Sequence, residues 1–491
     1  MTHSDPHLLW TAETLTAALG PLLSTPIESD TPLRVTGLSI DTRDLNAGDL
    51  FVALRGEHVD GHAFVAQALE AGAAGAMVEQ GHVPDDTDAP LVIVTNVMDA
   101  LEALARAARQ RSQAYVIGVT GSVGKTSVKE TLHLALQKSG TVHVSEKSFN
   151  NHIGVPLSLA RLPAEADYAV FEIGMNHAGE IAALVDMVQP HCAIITHIGE
   201  AHIENFASMD ALAQAKAEIM TAFSGDGVVL LPGDNAYLPV LQKAAAENNV
   251  ANVLTFGMAV PQAISDTHAA PDKVKLHAQC SCVSAHILGI EVTYKIGVPG
   301  AHHVSNSLAV LSAVSLAGAD VALAALSLAG HEALSGRGRR HYLQSAQGAY
   351  ELIDETYNAN PVSMTAALQT LGLSSHDGHG RRIAVLGDMA ELGADAPALH
   401  ADLAQVIAQA EIDLVFGCGP LTKHLMDALP APCRGHYTAT PDQLVDILTQ
   451  EIHRDDVVMV KGSNASNMHS VIRGLRAVHQ PTSSVQMMRE G

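Results

Sequence analysis

The stretch Tyr115-Val116-Ile117-Gly118-Val119-Thr120-Gly121-Ser122-Val123-Gly124-Lys125-Thr126-Ser127 decides how this chain is read. An apolar β-branched run ends in closely spaced glycines. A lysine and a threonine then open a helical stretch, Thr126 to Lys138, that Gly140 closes. This is the strand, loop and helix context of a phosphate-binding loop. Glycines let backbone N–H groups converge on phosphate oxygens, and the helix start adds a positive end. Lys125 is placed to reach the β- and γ-phosphates, and Thr126 offers a hydroxyl to magnesium. Gly121, Ser122, Val123, Gly124, Lys125, Thr126 and Ser127 are thus the expected nucleotide cradle. The full G-x-x-x-x-G-K-[ST] spacing is not met, since its first glycine falls on Val119, and the shorter G-x-x-G-K-T remains. A glycine turn bearing a surface lysine is the structural alternative. ATP is the expected nucleotide, because no base-reading N-K-x-D string of a GTPase occurs; a kinase remains open.

Outward from the loop, YAVFEIG (168–174) and CAIITHIG (192–199) repeat the pattern of continuous β-branched runs between helices. Such runs indicate parallel strands buried on both faces. They define a central ATP-binding domain over residues 113–334. After Gly336 a second series begins, YELIDET, RIAVLGDM, IDLVFGCG and VVMVKGS, each ending in a polar or glycine-rich step. Ligands in open α/β sheets bind outside the carboxyl ends of strands, so this C-terminal Rossmann-like domain, 335–491, is expected to face a ligand across an interdomain site. Residues 1–112 mix short strands (50–54, 91–95) with helices (62–71, 100–111), and the Pro/Asp-rich run 83–90 reads as a loop. The fold class is α/β in three domains, as the 491 residues suggest at roughly 150 residues per domain.

The composition excludes several functions. A formal charge of -24 argues against nucleic acid and anionic membrane as partners, since both demand a positive surface field. An anionic substrate needs a local basic pocket instead. MTHSDPHLLW carries no basic n-region with an apolar h-region, so a cytoplasmic protein is expected. Five cysteines, odd in number and without a C-x-x-C pair, favour neither a disulfide framework nor a zinc site. The apolar run 308–329 is long enough to imitate a membrane span, yet Gly318 and Asp320 break it. Two short core helices are expected there, and no span.

With these motifs in place, the chain resembles the Mur ligases along nearly its whole length. GSVGKTSVKE resembles that family's phosphate loop, Asp41-Thr42-Arg43 with Ala47-Gly48-Asp49-Leu50-Phe51-Val52-Ala53-Leu54 and Asp60-Gly61-His62 its UDP-substrate domain, and Phe149 to Pro156 and Glu172 to His177 its central motifs. Ala47 stands where proline is usual, and Asn464 follows Lys461-Gly462-Ser463 where arginine is common. DETYNANP (354–361) and LGDMAELG (386–393) are similar to strings of the ligase that adds the dipeptide, and the D-N-P-R motif of the diaminoacid-adding ligase is absent.

The resemblance implies ATP with Mg2+, a monomer, and two substrates, UDP-N-acetylmuramoyl-tripeptide and D-alanyl-D-alanine. They would be joined through an acyl phosphate into the UDP-muramoyl-pentapeptide of peptidoglycan. It implies catalytic roles for Lys125, Glu172, His202 and Lys216, with Thr126, Glu172, His202 and Lys216 on the metal side. Asn306, Arg337 and Asp354 are expected at the nucleotide, and Asp41, Arg43, Asn150, Asn151, Asn358 and Asn360 along the UDP-muramoyl-peptide. Other readings stay open: Glu172 as a helix cap, Ser305 or Asn306 as an N-cap, Arg337 as a linker charge. Lys216 lies four residues after Leu212 and three before Ile219 on the expected helix 209–223, hence on its apolar stripe. In the resembling ligases this lysine reacts with carbon dioxide to give a carbamate that holds a second magnesium. Snorkelling along the helix is the alternative. A nucleotide-binding switch that hydrolyses ATP without ligation is the rival from another class.

Overall fold

The computed structural model describes residues 8–27, 32–56, 59–82, 89–223, 226–259, 267–374 and 380–482. Most of the 83–90 loop therefore lies outside the described residues.

The central domain is built on a nine-stranded sheet. Its order runs Ile290–Ile296, Ser281–Ile287, His268–Leu276, Asn252–Phe256, Val228–Pro232, Cys192–Ile195, Tyr115–Thr120, Tyr168–Glu172, Val142–Val144. The strands from Asn252–Phe256 through Val142–Val144 are all parallel, as the β-branched runs predict. Alternate side chains feed two cores. Val116, Phe171, Ala193 and Val229 enter one; Ile117, Val119, Val170 and Ile194 enter the other. The sequence reading did not anticipate the meander 268–296, whose first strand joins the sheet parallel and whose next two continue it antiparallel. Its middle strand, Ser281–Ile287, alternates buried and more exposed residues, the period-two signal of a half-solvated strand.

After Tyr115–Thr120 the chain crosses to one side of the sheet, and after Cys192–Ile195 to the other. The crevice between these two neighbours is the topological switch point where such sheets bind ligands. The phosphate loop stands on one strand end and Thr196 on the other.

The run 308–329 divides as expected into helices Ala301–Leu316 and Val321–Ser327, separated at Gly318 (φ +70°), with Asp320 capping the second through Ala322 N–H at 2.8 Å. Among the described residues no helix is long and apolar enough to cross a membrane. The helix expected over 209–223 ends earlier, at Met209–Ala217, and tightens into a 3-10 turn, Glu218–Met220. Glu218 spends its carboxylate on Gly179 N–H (2.7 Å) and Ala182 N–H (3.2 Å), at the start of the neighbouring helix.

The N-terminal domain has a parallel sheet, Gly37–Ser39, Asp49–Val52, Gly75–Glu79, Leu91–Val94. Its helix Val97–Arg111 shares one apolar core with the central domain. Trp10 Nε1 donates to Ala160 O at 3.0 Å and Arg161 Nε to Leu38 O at 2.7 Å, fixing the two domains together. In the C-terminal domain, parallel strands Arg434–Thr438, Leu414–Cys418, Arg382–Leu386, Val457–Lys461 and Gly348–Glu355 continue into antiparallel Arg339–Ser345 and Gln480–Pro481. Apolar cores cover both faces of that sheet.

Candidate active site

The switch-point crevice opens into a cleft of about 710 Å³ lined by residues of the central and C-terminal domains. Its floor is the phosphate loop. Gly121 (φ +143°) and Gly124 (φ +88°) take backbone angles that side chains resist, and a Cβ on Gly121 would lie 2.1 Å from Thr196 Oγ1. Thr196 Oγ1 donates to Val123 O at 2.5 Å, Ser122 N–H to His197 O at 2.7 Å, and Ser122 Oγ to Gly199 O at 2.8 Å. The loop is thus moulded on the neighbouring strand end, while Ser122 to Ser127 line the cleft at the start of helix Lys125–Leu136. Lys125 Nζ arches back to Gly121 O at 2.8 Å. Burial pushes its ammonium below the usual lysine range, against the opposing pull of Glu172.

Thr126 Oγ1 donates to Glu172 Oε2 at 2.8 Å, and Asn150 Nδ2 to Oε1 at 2.7 Å. Glu172 is buried and meets a hydroxyl and an amide rather than helix N–H groups, so the helix-cap reading does not apply. A hydroxyl and a carboxylate on the cleft wall beside a phosphate cradle form an oxygen donor set that fits magnesium.

Lys216 is 1 % exposed, which excludes snorkelling. Among the described residues no hydrogen bond or ion pair reaches its Nζ. Burial, then the Lys125 charge, pushes its pKa well below the usual lysine range, in the direction of the neutral amine. Its charge acts on His202, the Lys125 charge acts on it, and His202 and Lys125 both line the cleft. His202 lines the cleft in the left-handed region, φ +61°, and its Nδ1 lies close against a carboxylate oxygen of Glu391 of the C-terminal domain. Burial lowers the His202 pKa, and Glu391 opposes that shift. An imidazole backed by a neutral amine suits magnesium poorly.

The C-terminal domain supplies the opposite wall. Arg337 stacks on Tyr357, 3.8 Å from the ring centroid, and Tyr357 Oη donates to Ser148 Oγ of the central domain at 2.7 Å. Asn358 and Asn360 line the cleft, the latter also capping helix Pro361–Gly372. Asn306 lies in the second turn of helix Ala301–Leu316 beside Gly124, and Gly300 is the N-cap, so neither Ser305 nor Asn306 caps that helix. Asn151 lines the cleft and its Oδ1 accepts Gly154 N–H at 2.9 Å.

Three expected residues lie elsewhere. Asp354 is buried off the cleft wall and accepts Gly336 N–H (2.8 Å) and Thr356 Oγ1–H (2.6 Å), which fixes the interdomain linker. Asp41 and Arg43 pair with each other on the N-terminal domain, where Arg43 holds the Asp41 carboxyl down to about 2. That domain also carries His62, Glu79 and His82 within 4.8 Å of one another. Asp60 and the Glu79 N–H already occupy both His62 ring nitrogens, and Arg55 bonds His82, so this is a closed polar network rather than a metal centre.

Several cleft residues escaped the sequence reading: Glu355, Tyr357, Lys461, His302 and His303. Lys461 is buried and bonds Asn358 O at 3.0 Å and Glu355 Oε2 at 3.3 Å. Its position on a glycine-rich strand end was the available signal. With Lys125 and Arg337 it brings three cations to a cleft that also carries the carboxylates of Glu172, Glu180, Asp234 and Glu355.

Three family descriptions match the chain: "Mur ligase family, catalytic domain" at residues 34–112, "Mur ligase middle domain" at 119–314 and "Mur ligase, glutamate ligase domain" at 338–464. The UDP-N-acetylmuramoyl-tripeptide–D-alanyl-D-alanine ligase of Escherichia coli (strain K12) is 35% identical over 446 residues, covering 90% of this chain and 94% of the relative. That of Bacillus subtilis (strain 168) is 33% identical over 445 residues, covering 90% and 93%. A crystal structure of MurF from Acinetobacter baumannii superposes with a TM-score of 0.80 at 28% identity, covering 95% of this chain and 98% of that one.

Proposed function

Since the chain belongs to the Mur ligase family, we propose that its cleft joins D-alanyl-D-alanine to UDP-N-acetylmuramoyl-tripeptide at the expense of ATP. One observation carries this reading beyond likeness: the phosphate loop with its Thr126–Glu172 pair forms one wall of a cleft whose other wall, Arg337 to Asn360 and Lys461, comes from the C-terminal domain. A nucleotide switch has no need of a second α/β domain closing over its phosphates.

The chemistry follows from the groups. A carboxylate and an amine do not condense in water, so the tripeptide carboxylate attacks the γ-phosphate, ADP leaves, and the amine of the dipeptide displaces phosphate from the acyl phosphate. Lys125 neutralises charge that grows on the transferring phosphoryl group, and the loop N–H groups fix its position. Thr126 and Glu172 would hold one Mg2+, with His202 and a Lys216 carbamate beside a second; these ions supply charge neutralisation on phosphate oxygens. Asn306 and Arg337 flank the nucleotide. Asn150, Asn151, Asn358 and Asn360 flank the muramoyl-peptide and dipeptide. Asp41 and Arg43 help hold the UDP end on the N-terminal domain, and Asp354 acts through the linker that presents Arg337. The proposed state is a monomer in the cytoplasm.

The test is phosphate release with UDP-muramoyl-tripeptides bearing diaminopimelate or lysine, with and without D-alanyl-D-alanine, and mass measurement of the product. Release that requires both substrates, with a UDP-pentapeptide product, is expected. Release from ATP alone with no new peptide product favours the switch.

A further inference from the structure

Helix Lys125–Leu136 carries a second lysine one turn behind the phosphate loop, and it does not line the cleft. The side chain of Lys129 is 0% exposed. A lysine is seldom enclosed so completely unless its charge is paired and hydrogen-bonded. All three of its ammonium donors are used. Nζ donates to Ser145 O at 2.6 Å and to Lys147 O at 2.7 Å, and it pairs with Glu130 Oε1 at 2.8 Å. Two of these partners are backbone carbonyls of one segment, residues 145–151, which follows the edge strand Val142–Val144. Within it Lys147 takes φ +48°, a conformation that non-glycine residues hold only where the surroundings impose it.

The three domains meet on that segment. Lys147 pairs with Asp44 of the N-terminal domain, Ser148 Oγ accepts from Tyr357 Oη of the C-terminal domain at 2.7 Å, and Asn150 Nδ2 donates to Glu172 in the cleft at 2.7 Å. The Lys147–Asp44 pair is solvated on both sides and contributes little alone. The buried grip comes from Lys129, on the same helix that offers Lys125 and Thr126 to the phosphates. We propose that Lys129 is a positioning residue for ligation: by holding residues 145–151 to the phosphate-loop helix, it keeps Asn150 and Asn151 on the peptide side in register with Lys125 and Thr126 on the phosphate side. The reaction needs that register, because the attacking carboxylate must lie about 3–3.5 Å from the γ-phosphate and a misplacement of about 1 Å costs on the order of a hundredfold in rate. The inference rests on the ligase reading of this cleft.

Hydrogen exchange followed by mass spectrometry, on the full chain with a non-hydrolysable ATP analogue, tests it together with steady-state ligation kinetics. Lys129→Met fills the same space without the charge. Its amides at residues 145–151 are expected to exchange at least about tenfold faster than in wild type, with those of helix Lys125–Leu136 unchanged. Its kcat should fall about 10- to 100-fold while KM for ATP stays within about twofold. Lys129→Gln, whose amide still donates to one carbonyl, should fall between the two in both measurements, and it carries the test if the methionine variant does not fold. Glu130→Gln leaves both carbonyl contacts and should match wild type. Wild-type exchange at 145–151 in a folded Lys129 variant overturns the inference, and so does faster exchange there with kcat unchanged. Faster exchange along the whole helix also overturns it, since Lys129 is then a general core residue. A Glu130→Gln variant as impaired as Lys129→Met overturns the carbonyl grip in favour of the ion pair. Absence of ligation by wild type refutes the proposed function and the inference with it, and only that outcome appears before any substitution is made.

Discussion

Thr126 and Glu172, one at the start of a helix and the other at the end of a strand, meet at 2.8 Å inside the cleft, and Asn150 holds the second carboxylate oxygen at 2.7 Å. Both oxygens of Glu172 are thereby aimed before any ligand arrives. Replacing Glu172 by Gln keeps the shape and removes the charge. Mn2+ affinity in the presence of nucleotide should fall by at least about tenfold, with ligation lost in proportion. An unchanged Mn2+ titration would remove Glu172 from the metal side.

Among the described residues Lys125 hydrogen-bonds only the carbonyl of Gly121, at 2.8 Å, and the loop is also held by backbone, Ser122 and Thr196 contacts that do not need it. Lys125→Ala should therefore lower kcat by at least about a hundredfold, the scale of losing one preorganised charge contact, while leaving the thermal midpoint close to wild type. Wild-type turnover in this variant defeats the phosphate-loop reading.

Lys216 is buried with no hydrogen-bond or ion-pair partner among the described residues, and burial depresses its pKa relative to the unfolded chain. The unfolded state therefore binds the proton more tightly, so folding stability should rise with pH between the folded-state and unfolded-state values and should be penalised below both. In carbon-dioxide-free buffer, Lys216→Met should raise stability at neutral pH by about 1–3 kcal/mol, the cost of an unsatisfied buried polar group, and flatten that rise. Lys216→Ala should lose ligation and recover part of it with added formate or acetate. Urea titrations across pH and a rescue assay read the two outcomes; full activity in Lys216→Ala rejects the metal role.

Tyr357 carries Arg337 on its ring face and bonds Ser148 across the domain boundary at 2.7 Å. Tyr357→Phe keeps the ring and should change KM for ATP little. Tyr357→Leu removes the stacking and should raise that KM by about two- to fivefold, equivalent to about 0.5–1 kcal/mol for an exposed cation–π contact. Equal behaviour of the two variants shows that the ring does not hold Arg337.

The phosphate loop, the paired α/β series and the burial of Lys216 were legible in the amino-acid sequence, because each rests on local periodicity or on spacing along one element. The 3.6-residue repeat puts Lys216 on the stripe of Leu212 and Ile219 whatever that helix packs against. The meander 268–296 was missed, since its strands are partly polar and half-exposed and lack the continuous apolar runs of the buried parallel strands. Tertiary structure alone decided what lies opposite the phosphate loop. That His202 meets Glu391, Tyr357 meets Ser148 and Lys461 enters the cleft depends on how two separately cored domains dock. Asp354 is turned inward to the linker, and Asp41 and Arg43 pair with each other on the N-terminal domain away from the cleft wall. Residues far apart in the chain are brought together by the burial of surfaces, and surface complementarity has no period that a single sequence displays.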